Sequence, residues 1–272
     1  MTIQDFKLLN QIGTNFWNIR APYKMLGIID VGTHMSIVRK RDGRFICIDT
    51  VNLDGELLNE INQLTENGDL IDAVIATHPF HTEAFPKFYQ HFPKPKYYGT
   101  PRHLRTIQEV PWTAELLSDE SLTLFEPDLY LRIPAGCEYV DPKPKTTNHF
   151  SNIFVFHPES KTLHNNDTIL VYQNPGFLLS FFAKDGEVKF HKSMCSSGLY
   201  PTKEAPLQFK AWLEKLLNDW DFDNICSAHN GNLIGGANAV VRQTLTEAIP
   251  QLQKLSEKNS SHGEHHSEGV CT

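Results

Sequence analysis

The sequence predicts an α+β fold in which two β-sheets pack face to face, with helices on the outside. The chain falls into two successive halves, each beginning with strand-like segments and ending with helix-like ones. No linker separates these halves, so one integrated domain is expected. The 272 residues are 40% apolar and 21% charged, which is ordinary for a soluble globular protein with a substantial core.

In the first half, segments rich in Val, Ile and Phe predict strands at residues 16–21, 30–40, 44–51, 72–78 and 96–101. Asp42-Gly43 is a strong hairpin-turn pair between two of them. Apolar residues at helical spacing predict a helix over 54–66 with Asp54 as its N-cap. A short helix is expected at 101–108.

In the second half, similar segments predict strands at residues 121–127, 128–134, 152–158, 162–172 and 223–229. Helical periodicity predicts helices over 203–219 and about 238–257. Residues 258–272 show no apolar periodicity and are predicted to form a disordered tail that contains histidines. Residues 1–257 would then make up the folded domain.

Composition excludes several classes of partner. The net charge of −7 argues against nucleic acid, because phosphate binding needs concentrated Lys and Arg. The most apolar segment, residues 174–183, is shorter than the about 20 residues that span a bilayer, so no membrane partner is expected. Five widely spaced cysteines without a CxxC pair favour reduced thiols in a cytoplasmic protein. The sequence carries no signal of oligomeric state.

Four polar residues stand at the ends of apolar strands and suggest a metal site. His78 follows one strand, His149 precedes another, Asp167 precedes a third, and His229 follows the last. Each alone is weak evidence, since a histidine at a strand end is more often structural. Together, three imidazoles and a carboxylate are ligands that suit Zn²⁺ or Fe²⁺.

The order of these segments resembles the metallo-beta-lactamase superfamily over roughly residues 14–235. Members carry T-H-x-H-x-D-H after a strand, then a His that opens a strand, an Asp in a hairpin, and a His at a strand end. The corresponding segments here are THPFHTE (77–83), TTNHFSNIFVF (146–156), NNDTIL (165–170) and SAHNG (227–231). The resemblance implies a four-layer αββα sandwich of two mixed β-sheets, and it transfers His78, His149, Asp167 and His229 as metal ligands.

The first motif departs from the family. Aligned on Thr77-His78, Phe80 replaces the second histidine, Thr82 the aspartate and Glu83 the third histidine. One site would keep His78, His149 and Asp167, and the second would keep Asp167 and His229. Two replacements for the missing ligands are open. Glu83 could bind the second metal, or a one-residue shift of the loop, with Thr82 capping the helix that follows, could bring in His81.

The leading hypothesis is therefore a metal-dependent hydrolase with an altered site, which a single metal could occupy, and a small-molecule substrate. One or two ions of zinc, iron or manganese are expected, or none if the losses are complete. Asp167 or Glu83 would orient the attacking water. The alternatives are a non-catalytic binding or scaffold protein that kept the fold, and a di-iron oxidoreductase. Phe80 counts against the last, because di-iron members of the superfamily have a carboxylate at its position.

Overall fold

Two large mixed β-sheets form the centre of the molecule. The structure is a computed structural model and describes residues 7–25, 29–173, 184–229 and 231–264. The first sheet has seven strands in the order β1-β2-β5-β6-β7-β8-β9. Their bounds are β1 Asn10–Gly13, β2 Phe16–Ala21, β5 Thr33–Arg39, β6 Phe45–Ile48, β7 Ile71–Ile75, β8 Lys96–Gly99 and β9 Trp112–Glu115. The β6-to-β9 part is parallel and the rest antiparallel.

The second sheet has five strands in the order β10-β11-β12-β15-β16. Their bounds are β10 Tyr130–Arg132, β11 Phe154–His157, β12 Thr162–His164, β15 Asn224–Cys226 and β16 Asn232–Ile234. Only the β12–β15 pair is parallel within this sheet. Two small antiparallel ribbons complete the described strands: β3 Lys24–Met25 with β4 Ile29–Asp30, and β13 Ile169–Val171 with β14 Val188–Phe190.

Three hydrophobic cores define four layers. The central core lies between the sheets, where Phe16, Val38, Ile46, Ile48 and Ile75 of the first sheet meet Leu131, Val155 and Cys226 of the second. The helices α1 (Gly55–Thr65) and α2 (Phe85–His91) cover the outer face of the first sheet. The helices α5 (Ala205–Asp219) and α6 (Ala237–Glu264) cover the outer face of the second. This arrangement confirms the predicted αββα sandwich.

Local sequence explains the first long helix. Asp54 precedes α1 in an extended conformation, and its side chain accepts a hydrogen bond from the backbone N–H of Leu57 at 3.0 Å. An N-cap of this kind satisfies a backbone donor that the first helical turn leaves free. At the other end, Glu66 adopts a left-handed conformation with φ of 52° and returns its N–H to Asn62. The predicted helix and its cap are both confirmed.

Three sequence predictions need correction. Residues 121–127 are not a strand, because Ser118 caps a short helix, α4 (Asp119–Thr123), whose first turn carries two acidic residues. Residues 162–172 form two strands, β12 and β13, that belong to different sheets. α6 continues to Glu264, so residues 258–264 are helical rather than part of a disordered tail.

The other short helix of this region, α3, spans Pro101–Thr106, close to its predicted bounds. Residues 265–272 and the apolar segment 174–183 lie outside the described residues. None of the helices that the structure describes combines the length and the apolar composition that crossing a membrane requires.

Candidate metal centre

The first candidate ligand follows β7 and is fixed by a buried carboxylate. Asp49, directly after β6, accepts hydrogen bonds from the backbone N–H of Thr77 at 2.8 Å and from its hydroxyl at 2.5 Å. These bonds hold the chain as it leaves the sheet, and His78 comes next with its side chain fully buried. Parallel strands β6 and β7 end at the same edge, which explains why residues 49 and 77 meet.

A tight turn then brings His81 toward the interior. The N–H of His81 donates to the carbonyl of His78 at 3.1 Å, and the N–H of Thr82 donates to the carbonyl of Phe80 at 3.0 Å. α2 begins only at Phe85, with Ala84 at the N-cap position and no side-chain cap. Thr82 therefore does not cap this helix, contrary to the expectation. The turn itself, rather than a cap, supplies the displacement that makes His81 available.

Four imidazoles surround Asp167, which lies between β12 and β13. The Nε2 atoms of His78 and His81 are 3.3 Å and 3.5 Å from its Oδ2, and Nδ1 of His149 is 3.5 Å from the same oxygen. Nε2 of His229 is 3.0 Å from Oδ1. The ligand atoms form two groups that share Asp167, one with His78 and His149 and the other with His81 and His229.

Asp167 is a buried carboxylate that lies among imidazole nitrogens. Its side chain is 2% exposed, and neither oxygen has a hydrogen-bond partner among the described residues. Burial alone would raise the pKa of Asp167, but the nearby His229, His78 and His81 hold it well below its usual value. A buried charge of this kind is normally paired or bound to a metal. The donor set therefore fits a divalent cation such as Zn²⁺ or Fe²⁺.

Three of the imidazoles present an unprotonated nitrogen to Asp167 when they are neutral. Nδ1 of His229 donates to the carbonyl of Gly32 at 2.7 Å, and Nε2 of His149 donates to the carbonyl of Lys145 at 3.1 Å. Nδ1 of His81 is 3.1 Å from Oδ1 of Asn166. A proton on one ring nitrogen leaves the lone pair of the other free to bind a metal.

His78 differs from the other three histidines. Its Nδ1 accepts the backbone N–H of Phe80 at 3.1 Å, so the neutral ring carries its proton on Nε2, the atom that faces Asp167 and the carbonyl of His149. Burial holds the pKa of His78 well below its usual value, and His81 adds to this effect. Binding a cation at Nε2 would require this ring to give up that proton.

His229 has the opposite electrostatic setting. Burial would lower its pKa, but the adjacent Asp167 and the Gly32 carbonyl together raise it. The carboxylate, 3.0 Å from Nε2, therefore favours the protonated form of this ring. A proton and a metal ion compete for the same nitrogen in this arrangement.

Glu83 does not join either group. Its side chain is exposed and lines the wall of a cleft that also contains Tyr23, Phe80, His81, His149 and His229. Burial raises the pKa of Tyr23, and the negative charges of Glu83 and Asp167 raise it further. The turn after His78 points His81 toward the interior. Two residues later the chain has returned to the surface, so Glu83 lies at the rim of the cleft. Of the predicted set, the structure brings together His78, His81, His149, Asp167 and His229.

Phe80 packs beside the centre rather than leaving a gap there. Its ring lies 4.8 Å from the ring of His149 and 5.9 Å from that of His78, measured between centroids. The guanidinium of Arg102 stacks over it at 5.0 Å. The apolar ring thus forms one wall of the cleft.

A second buried group behind the centre was missed by the sequence analysis. His34, Asp49 and His164 lie close enough together to suggest another cation site. Asp49, however, already accepts hydrogen bonds from Thr77, His164 and Asn166, and His164 also pairs with Ser36. The rings of His34 and His164 stack at 4.2 Å, so their in-plane lone pairs do not converge. This group is a hydrogen-bonded network.

The comparisons with known proteins agree on the fold. No family model matches the sequence, and a search of curated proteins finds no match. Among solved structures, a metallo-beta-lactamase from Erythrobacter litoralis is 15% identical with a TM-score of 0.53, covering 94% of this chain and 95% of that one. FIM-1 from Pseudomonas aeruginosa, a metallo-beta-lactamase in the mono-zinc form, is 16% identical with a TM-score of 0.54, covering 93% and 95%.

A metal-soaked flavodiiron core, Flv1 from Synechocystis, also matches, with 13% identity and a TM-score of 0.57 over 88% of this chain and 60% of that one. This likeness establishes the architecture: the chain has the fold of the metallo-beta-lactamase superfamily. At the strand ends of that fold it carries two histidine groups joined by Asp167 that could hold a metal ion.

Proposed function

We propose that this protein is a metal-dependent hydrolase in which His81 supplies an imidazole that the altered first motif lacks. The observation that carries the proposal is Asp167, a buried carboxylate with four imidazole nitrogens at 3.0–3.5 Å. A zinc, iron or manganese ion at this carboxylate would polarise a carbonyl and lower the pKa of a bound water.

Different residues of the site would bind the metal and contact the substrate. His81 and His229 lie on one side of Asp167, and His78 and His149 on the other, so either one ion or two can be accommodated. His149 and His229 also line the cleft, where a small-molecule substrate would enter. Phe80 and Tyr23 give that cleft aromatic walls. Glu83 is its exposed carboxylate and would act on the substrate or on water from the rim. Neither nucleic acid nor a membrane is proposed as a partner.

Metal content tests the proposal. Protein purified without an affinity tag should bind one or two equivalents of Zn²⁺, Fe²⁺ or Mn²⁺, measured by elemental analysis after reconstitution and removal of excess metal. His81→Ala should lose at least half of this metal. His191→Ala is a matched control, because that histidine lies near His149, with ring centroids 6.5 Å apart, but outside both groups. Retention of full metal by His81→Ala would contradict the proposed ligand set.

A non-catalytic binding protein is the competing function, and two observations favour it. Phe80, which aligns with a ligand position of the first motif, places an apolar ring beside His149, and His78 directs a protonated nitrogen at Asp167. If this function is correct, the reconstituted wild-type protein should hold less than a tenth of an equivalent of any of the three metals. Iron as the dominant metal, with redox activity, would instead favour the di-iron alternative.

A further inference from the structure

We infer that Asn166 is a positioning residue that fixes the tautomer of His81 and so makes its Nε2 available to a metal. The inference rests on the proposed function, in which His81 is a ligand. It concerns a residue next to Asp167 whose own side chain donates to Asp49 and Thr77. Asn166 is fully buried, and its amide lies between His81 and the buried network around Asp49.

The orientation of the Asn166 amide is determined by its neighbours. Its Nδ2 donates to Oδ2 of Asp49 at 2.9 Å and to the hydroxyl oxygen of Thr77 at 2.6 Å. Both amide hydrogens are therefore used. Turning the amide over would place its oxygen against the Asp49 carboxylate and lose both bonds, which is costly for buried groups. The amide oxygen must face His81.

This orientation dictates where His81 carries its proton. Oδ1 of Asn166 only accepts hydrogen bonds, and it lies 3.1 Å from Nδ1 of His81. The neutral ring must therefore place its hydrogen on Nδ1 and leave the lone pair of Nε2 facing Oδ2 of Asp167, 3.5 Å away. An imidazole bound through one nitrogen and hydrogen-bonded through the other is the usual arrangement at metal centres.

The main chain at His81 is held by contacts that do not involve Asn166. Loss of the Asn166 side chain should therefore affect only the imidazole ring of His81. Nε2 of His103 is 3.2 Å from the carbonyl of His81, and Nδ1 of His103 pairs with the hydroxyl of Thr100 at 2.8 Å. The N–H of His81 donates to His78. Removing Asn166 leaves these bonds in place and frees the imidazole to adopt the other tautomer.

The tautomer can be measured in the metal-free protein by two-dimensional ¹H–¹⁵N spectroscopy of the histidine rings, with His81→Gln to assign the signals. In wild-type protein at a pH where the ring is neutral, the Nδ1–H form of His81 should dominate. In Asn166→Ala that fraction should fall, and Co²⁺ or Zn²⁺ affinity should weaken by about 10- to 100-fold.

Asn152→Ala is the matched control. Asn152 is equally buried and accepts hydrogen bonds from Thr168 on the far side of the same turn, without contacting His81. It should leave the His81 tautomer unchanged. Dominance of the Nε2–H form in wild-type protein would overturn the inference, even if Asn166→Ala fails to fold. If wild-type protein has the Nε2–H form of His81 and still binds metal, only this inference is refuted and the proposed function stands. If it has the Nδ1–H form and binds no metal, only the proposed function is refuted.

Discussion

At the scale of single residues, Asp167 contributes to both stability and binding. Burial of a carboxylate is unfavourable for folding, but the surrounding imidazoles more than offset this cost, because they hold the pKa of Asp167 well below its usual value. The same feature makes the position a strong attractor for a cation. An uncharged side chain of equal shape should therefore destabilise the metal-free protein and eliminate its response to metal.

Asp167→Asn tests both contributions. The metal-free variant should be less stable than metal-free wild type at neutral pH, because the amide lacks the negative charge that the imidazoles stabilise. Wild type should gain about 2.7 kcal/mol when free Zn²⁺ reaches 100 times its Kd, whereas the variant should gain nothing. Thermal unfolding with and without chelator measures both effects. Asp141→Asn, at a surface ion-pair site, should respond to zinc as wild type does. An equal zinc response in Asp167→Asn would contradict the role of Asp167.

The residue scale also shows where sequence reasoning stops. His78, His149, Asp167 and His229 could be found because each stands at a strand end in an ordered set. The choice between His81 and Glu83 could not be made, since it depends on the turn after His78 and on the amide of Asn166, 85 positions away. Nothing in the spacing of residues 78–83 encodes that contact. The tautomer of His78 likewise depends on the backbone of Phe80.

At the scale of elements, the site depends on where strands end rather than on their lengths. The run 162–172 looked like one strand, yet Asn165 donates to the carbonyls of Asn166 and Ile169 and breaks it into β12 and β13. Asp167 lies in that break. Helices were better predicted, because their periodicity and caps are local signals. The prediction of a strand at 121–127 was wrong, because the helix cap that Ser118 provides outweighs the strand-like composition of these residues.

The N-cap of α1 gives a prediction at this scale. Asp54→Ala should lower the free energy of unfolding by about 1 kcal/mol, because the backbone N–H of Leu57 loses its acceptor. Urea titration followed by circular dichroism measures the change. Asp54→Ser retains a capping oxygen and should stay within about 0.5 kcal/mol of wild type. Equal losses in both variants would show that the cap is not the cause.

At the scale of the whole molecule, buried polar contacts as well as the apolar core join the two sheets. Arg20 on β2 of the first sheet donates to the carbonyls of Ser227 and Ala228 at 2.8 Å and 3.0 Å, and to the side chain of Asn232 at 3.1 Å. These acceptors lie on either side of His229 in the second half of the chain. The order of the two halves was predictable, but this connection was not.

Arg20→Lys should destabilise the protein by about 1–3 kcal/mol, because an ammonium cannot reproduce the planar fork that reaches three acceptors. It should also weaken zinc binding, since the residues before His229 lose their anchor. Chemical denaturation and chelator competition measure the two effects. Arg39→Lys, which alters a partly buried 3.4 Å contact with the carbonyl of Gly43, should change stability by less than about 0.5 kcal/mol. Unchanged stability in Arg20→Lys would show that these hydrogen bonds of Arg20 do not stabilise the packing of the two sheets.

The position of His229 has a consequence for motion. Its ring donates to Gly32, next to the first sheet, while its chain leaves β15 of the second sheet and its other nitrogen meets Asp167. An ion held there would act as a cross-link between the two sheets. Amide hydrogen exchange should consequently slow on metal binding in strands of both sheets, β2 and β15 included, rather than in the surrounding loops alone. Metal binding would then reduce the motion of the two sheets relative to each other.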